Sequence, residues 1–314
     1  MKKVIFTLMM AALVSASFAQ EENVVTGPWT HKGTIGLNFA QSHYSNWAAG
    51  GQNALNWIGV LNYQVNYAKG NFKWDNTLDA SLGYSYFNPK MKPIKTDDKI
   101  EFTSLAGLKA TEKLNYSLEL AFRSQFTNGY NYETDSTHRI SKFLAPGYIT
   151  LGLGAEWVPN KYFSLNFAPI TGRVTIVNDQ ALADLGSYGV DQGYFDPADT
   201  LHWIPGNRVR YEFGARLVAK VDVPIAKNIN FNSKLELFSN YLNHPERIDV
   251  DWQNLLILKV NSWLNCNLST HLIYDYDVPF YEINPATGQP FTEPIKGSKV
   301  QFKEVFSLGV MFNI

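Results

Sequence analysis

Three windows of the chain alternate apolar and polar side chains with a period of two. Phe72, Trp74, Leu78, Ala80, Leu82, Tyr84 and Tyr86 share one parity, against Lys73, Asp75, Thr77, Asp79, Ser81, Gly83 and Ser85. Leu114, Tyr116, Leu118, Leu120 and Phe122 alternate with Asn115, Ser117, Glu119, Ala121, Arg123 and Gln125. Val209, Tyr211, Phe213, Ala215, Leu217, Ala219 and Val221 alternate with Arg208, Arg210, Glu212, Gly214, Arg216, Lys220 and Asp222. Successive side chains of a strand point to opposite faces, so each window predicts a strand with one apolar and one polar face. Helical spacing fits none of them. Noisier windows of the same kind begin near Lys32, Asn53, Lys99, Gly147, Lys161, Asn228, Asp249, Cys266 and Lys299. Together they predict about twelve strands, an even number of the kind single-chain barrels use. Many are long enough to cross a bilayer at a tilt, which takes about 9 to 11 residues.

The connections carry a second signal. Short ones fall at 69–71, 112–113, 159–160, 224–227 and 263–265, and long ones at 41–52, 88–98, 128–146, 178–206, 242–248 and 279–298. The two kinds alternate strictly, which in an up-and-down barrel puts every long loop at one end and every tight turn at the other. Trp and Tyr gather near the strand ends on the apolar parity, among them Trp57, Tyr67, Trp74, Tyr116, Tyr211 and Trp252. Such rings suit the two water–lipid interfaces. A soluble lipocalin-like barrel, a lipid carrier with the parities reversed, is the rival. Against it stand ions of both signs on the polar parity and rings too large to fill a narrow interior. Phe306, Leu308, Val310, Phe312 and Ile314 alternate up to the last residue, like the terminal strand that outer-membrane barrels offer to their assembly machinery. That strand must close against the first, 34–40, so that no edge is left open in lipid. The predicted fold class is therefore an all-β transmembrane up-and-down antiparallel barrel.

Composition agrees. Charged residues are 18% and aromatics 14% of the 314 residues. The mean hydropathy of -0.19 is too polar for a bundle of membrane helices. A net charge of -1 gives no electrostatic case for nucleic acid, which needs a basic face. Lys2 and Lys3, an apolar run from Val4 to Val14 and the small residues up to Ala19 read as a secretory signal peptide over 1–19, leaving 20–314 as one barrel domain. An N-terminal membrane anchor is the alternative, but the run is shorter than the ~20 residues a span needs. Cleavage would leave 25 basic and 28 acidic residues, a net of -3. Cys266, the single cysteine, allows no intramolecular disulfide and lies far from the cleavage site.

Several stretches together resemble a family of outer-membrane proteins from Bacteroides-type Gram-negative bacteria, catalogued as domain of unknown function 3078. They include Ser45-Asn46-Trp47-Ala48-Ala49-Gly50-Gly51, Lys95-Thr96-Asp97-Asp98-Lys99-Ile100, Ala145-Pro146-Gly147-Tyr148 and 169–179. Leu237-Phe238-Ser239-Asn240-Tyr241-Leu242, Ile248-Asp249-Val250-Asp251-Trp252 and Val300-Gln301-Phe302-Lys303-Glu304 follow in the same order. Tyr274-Asp275-Tyr276-Asp277 departs from the more continuous run of aspartates expected there. The resemblance implies a barrel in the outer membrane and supplies no reaction.

Candidate chemistry is sparse. An outer-membrane lipase or deacylase needs a Ser-His-Asp or Ser-His-Asn set facing lipid. His271 instead falls on the polar parity, as a hydrogen-bonded lumen residue, and no G-x-S-x-G elbow occurs. Asp191, Asp196 and Asp199, on one long glycine-containing loop, form a weak calcium candidate without EF-hand spacing, and no His/Cys spacing suits zinc. No glycine-rich phosphate loop points to a nucleotide cofactor. The inward parity carries Asp75, Asp79, Glu119, Arg123, Arg208, Arg210, Glu212, Arg216, Lys220, Lys234, Glu236, Lys259 and Asp275. A selective pore tends toward rings of one sign, whereas these mixed signs predict a lumen bridged by pairs and obstructed further by the 178–206 loop. Trp47 beside Gly50 and Gly51 forms a candidate contact loop. The expectation is a non-enzymatic outer-membrane barrel, either a narrow or gated passage or a docking subunit. Both termini would be periplasmic, with outer-membrane lipid, the assembly machinery and an envelope protein as partners.

Overall fold

Period-two patterning gives strands wherever it was read. The computed structural model describes residues 27–42, 54–87, 92–131, 135–278 and 299–314. Twelve long strands meander antiparallel around a closed barrel. They are β1 (Trp29–Ser42), β2 (Ala54–Lys69), β3 (Phe72–Tyr86), β4 (Ile94–Lys109), β5 (Leu114–Ser124), β8 (Gly147–Asn160), β9 (Phe163–Ile176), β12 (Val209–Ala226), β13 (Ile229–Asn240), β14 (Ile248–Lys259), β15 (Leu264–Tyr274) and β16 (Gln301–Asn313). Two small hairpins sit in the long connections: β6 (Gly129–Asn131) with β7 (Asp135–Ser141), and β10 (Tyr194–Asp196) with β11 (Asp199–Ile204). The barrel strands run from 11 to 18 residues, enough to cross a bilayer at a tilt. The last strand closes on the first, from Thr34↔Asn313 to Phe39↔Leu308, and reciprocal bonds between Gly33 and Ile314 complete the seam.

The parities fall as expected. On β5, Tyr116, Leu118 and Leu120 are exposed on the outside, while Ser117 and Glu119 between them are buried within. The same holds on β12, where Tyr211 and Phe213 face out and Glu212 and Arg216 are buried. An apolar exterior over a polar interior is the inverse of a water-soluble barrel. Aromatic rings cluster at both ends of this exterior. At the turn end Trp29 packs on Tyr67 (4.8 Å between ring centres) and Trp157 on Phe163 (5.9 Å). At the loop end Trp57 meets Tyr84 (5.7 Å) and Phe213 meets Tyr241 (5.9 Å).

One connection is shorter than predicted. Residues 94–98 belong to β4, because Asp97 and Asp98 pair with Gly83 and Leu82 of β3 across a bulge. Their charges stay satisfied inside the sheet: Asp98 accepts from the Phe126 and Thr127 N–H groups, and Lys95 donates to Asp98 at 2.9 Å. The 178–206 connection is not structureless. It carries a short helix, α1 (Gln180–Asp184), capped by the Asp179 carboxylate at 3.1 Å from the Ala181 N–H, and then the β10–β11 hairpin. Ala145, Val177, Leu182, Ala183 and Val190 form a small apolar core under it, with Tyr188 packed alongside. The Tyr188 hydroxyl donates to the Ile140 carbonyl at 2.7 Å, and Arg139 pairs with Asp179, so this loop and the end of the β6–β7 hairpin form one folded cap at the loop end.

Candidate functional site

Several ion pairs of the inward parity cross the barrel rather than run along its wall. Arg123 of β5 pairs with Asp251 of β14, and Lys234 of β13 pairs with Glu101 of β4. Each pair joins strands five apart around the twelve-stranded wall, close to a full diameter. Lys99 of β4 donates to Gln253 of β14 at 3.2 Å, and Lys303 of β16 pairs with Asp97 of β4. Each strut therefore ties a strand from one half of the sequence to a strand from the other.

Beside these struts lies a tighter knot. Arg216 forks onto both oxygens of Glu236 at 2.8 and 2.9 Å and reaches Glu119 at 2.8 Å. Asn166 donates to Glu119 at 2.5 Å, and Ser117 donates to Asn166 at 2.7 Å. Arg216 is 3% exposed and Glu119 4% exposed. A buried charge is tolerated when it is paired and its remaining hydrogen-bonding capacity is filled, which this chain of contacts achieves. Between Glu101, Arg123, Arg216 and Glu236 a cavity of about 20 Å³ remains, room for about one water molecule. Nearer the loop end, Arg173 forks onto Glu212 at 2.7 Å, bridges to Asp249 at 2.7 Å and stacks 4.0 Å above the Phe238 ring. Arg210 reaches Asp277 at 2.5 Å and donates to the Gly189 carbonyl at 3.2 Å, so the folded cap leans on the lumen charges.

The predicted inward residues take different places. Glu119, Arg123, Glu212, Arg216, Lys234 and Glu236 are all in these networks, and Arg210 joins them at the loop end. Asp79 accepts from Asn62 at 2.5 Å and Asp75 lies 3.3 Å from Lys73, so both bond close to their own wall. Lys220 stands opposite Lys234 on the inward parity and is solvent-accessible, and Lys259 is exposed at the turn-end mouth. One assignment to the lumen wall needs correction: Arg208 precedes β12 and donates to Gln180 at 2.7 Å in the cap. Asp275 follows β15 at the loop end, within electrostatic reach of Arg173 and Glu212.

Several partners were missed: Glu101, Asp97 and Lys99 on β4, Arg173 on β9, Asp249 and Asp251 on β14, and Lys303 on β16. Asp97 falls in the predicted 88–98 connection, and the others lie in the noisier windows, where Leu105, Phe238, Leu255 and Val305 share the inward parity and blur the pattern. His271 is where parity put it, with Nε2 3.0 Å from Asp251. Asp191, Asp196 and Asp199 are not drawn together. Asp196 and Asp199 accept from backbone N–H groups of their own hairpin, and Asp191 from Asn207 at 2.9 Å. Among the described residues no group of three potential ligands could hold a metal. Trp47, Gly50 and Gly51 lie outside the described residues, as does the 1–19 segment.

The likeness to domain of unknown function 3078 is borne out over residues 39–130, which match the model of a family described as a protein of unknown function, DUF3078. No curated protein matches the sequence. Solved structures similar to the chain include the COG4313 outer-membrane channel of Pseudomonas putida F1, with 11% identity, a TM-score of 0.38, and 94% of this chain and 98% of that one covered. The NanC porin is similar at 10% identity and a TM-score of 0.35, with 90% and 99% covered. The anion-selective porin of Comamonas acidovorans has 8% identity and a TM-score of 0.31, again with 90% and 99% covered.

Proposed function

We propose that the chain is a non-enzymatic outer-membrane barrel that forms a narrow, gated passage, closed at rest by ion pairs spanning its lumen. The two near-diametric pairs, Arg123 with Asp251 and Lys234 with Glu101, carry this reading. A lumen of balanced opposite charges holds itself narrow, and a passage opens when the pairs exchange partners with a solute or with water. The exterior supports a bilayer setting, since Leu118, Leu151 and Phe306 are 48%, 53% and 67% exposed. In the orientation we favour, the long loops and their cap face outward and both termini lie in the periplasm.

A lipid-modifying enzyme fits less well. His271 bonds Asp251 in the lumen, and His31, on the outer face at the turn end, bonds the Tyr63 hydroxyl; neither bonds a serine. A soluble lipid carrier would place its apolar surface inside.

Planar-bilayer recording tests the passage. The wild-type barrel should give small, infrequent openings, and the double variant R123A/D251A should raise single-channel conductance several-fold. No current from the wild type, from the double variant, or from a variant also lacking 180–205 would reject the passage and leave a docking role.

A further inference from the structure

We propose that the loop-end rim carries a binding site for neutral, hydroxyl-rich ligands of the saccharide class. The site lies at the rim, away from the struts Arg123–Asp251 and Lys234–Glu101 that carry the passage reading, so the proposal does not rest on that reading.

The rim is stepped. β12 pairs with β9 from Val209↔Ile176 onward, but β13 joins β12 only at Gly214↔Asn240. The Arg208 carbonyl accepts from Val177, so even-numbered residues of this stretch turn their backbone groups toward β9; the Phe213 carbonyl accepts from Tyr241, so odd ones turn toward β13. Val209 and Tyr211 therefore present N–H and C=O groups to a notch in the wall, with no backbone partner there among the described residues. A cavity of about 540 Å³ fills the notch, bordered by Asp191, Asn207, Arg210, Tyr211, Asn240 and Asn243. That size is within the usual range for small-molecule sites, about 300–1,000 Å³.

The lining selects the ligand class. The Asn243 amide and an open strand edge offer donors and acceptors side by side, which is what a hydroxyl, itself both donor and acceptor, can use fully, while Asn207 bonds Asp191 and Asn240 bonds Glu212 and the Leu242 N–H. Among the described lining residues the one cation, Arg210, is already matched by Asp277 at 2.5 Å and Glu212 at 3.1 Å, so an anionic group would find no free positive charge among them and would meet Asp191. The Tyr211 ring, 76% exposed, gives a flat face of the kind a sugar ring covers. The shared chemistry has two sources, a free oligosaccharide or the sugar head of a glycolipid in the surrounding leaflet.

The test is an array of neutral and charged oligosaccharides probed with the detergent-purified barrel, alongside N243A, Y211A and N207A. Heat-dependent gel mobility confirms that each variant is folded. At least one neutral glycan should be retained, about tenfold more weakly by N243A or Y211A, a loss of about 1.4 kcal/mol. Competition by the free sugar identifies a soluble ligand, and retention only of the same sugar linked to lipid in nanodiscs identifies a membrane glycolipid; either supports the site. No retained neutral glycan, a preference for sulfated or sialylated glycans, or retention indifferent to all three variants would overturn it.

Discussion

Replacing Arg216 with Met keeps most of the side-chain volume and removes the guanidinium at the centre of the lumen knot. Arg216 makes two charge-assisted bonds to Glu236, at 2.8 and 2.9 Å, and one ion-pair contact to Glu119 at 2.8 Å, with its own side chain 4% exposed. Breaking a buried pair by removing one partner costs about 3–5 kcal/mol, because the other charge is left uncompensated. Here two carboxylates are stranded, but Glu119 keeps the Asn166 amide at 2.5 Å, so R216M should cost that range rather than twice it. By contrast D75N removes a carboxylate that is 38% exposed and 3.3 Å from its lysine, and such pairs are worth about 0–1 kcal/mol. The assay is urea unfolding of the barrel refolded into lipid vesicles, followed by tryptophan fluorescence. The triple variant E119Q/R216M/E236Q, which leaves no stranded charge, should recover most of the loss. If R216M unfolds within about 1 kcal/mol of wild type, the lumen is wet enough to screen its charges, and the bracing argument fails.

Three further expectations follow from other parts of the molecule. Burial alone would raise the Asp179 carboxyl, but Arg139, the Leu182 N–H and Lys142 outweigh it and hold the group below its ordinary value of 3.8. A depressed folded value means that the contribution is present above pH 3.8 and lost as pH falls through the lower value, so amide exchange in α1 should accelerate below about pH 4 and D179N should flatten that dependence; equal profiles would refute it. Leu120, 41% exposed and opposite Leu151 on the outer face, should cost about 2–4 kcal/mol as L120R in vesicle unfolding if it faces mid-bilayer, whereas full tolerance would argue for a water-facing exterior. A Cβ on Gly214 would lie 1.9 Å from the Ser239 carbonyl oxygen, so G214A must push β12 from β13 where they first pair, costing about 1–3 kcal/mol in the same titration; a neutral result would show that the junction yields freely.

The architecture was legible because it depends on local periodicity. The windows at Phe72, Leu114 and Arg208 became β3, β5 and β12, starting at Phe72, Leu114 and Val209. Their parity alone sorts outward Leu118 from inward Glu119. Turn chemistry was equally local: Gly70, in the left-handed region at φ 60°, sits in the tight β2–β3 turn predicted at 69–71. The pairing inside the lumen was not legible. Which charge meets which depends on strand tilt and register around a closed wall, so Arg123 could be placed inward while Asp251, 128 residues away, went unnoticed. Glu101 and Asp251 also share their parity with Leu105 and Leu255, because a filled lumen tolerates apolar packing where a water channel does not. The cap was missed for a different reason. Its core of Val177, Leu182, Ala183 and Val190 has neither a helical nor a strand period and forms only when the loop folds back on itself.

The struts also bear on how such a molecule is made. Glu101 and Lys234 are 133 residues apart, and Asp97 and Lys303 are 206 apart, so neither couple can meet until the sheet has curled round on itself. A half-finished wall would hold these charges without their mates, a costly state in hydrocarbon. Insertion strand by strand is thereby disfavoured, and the step that brings β16 to β1 becomes the moment at which charge neutralisation and shape are secured together.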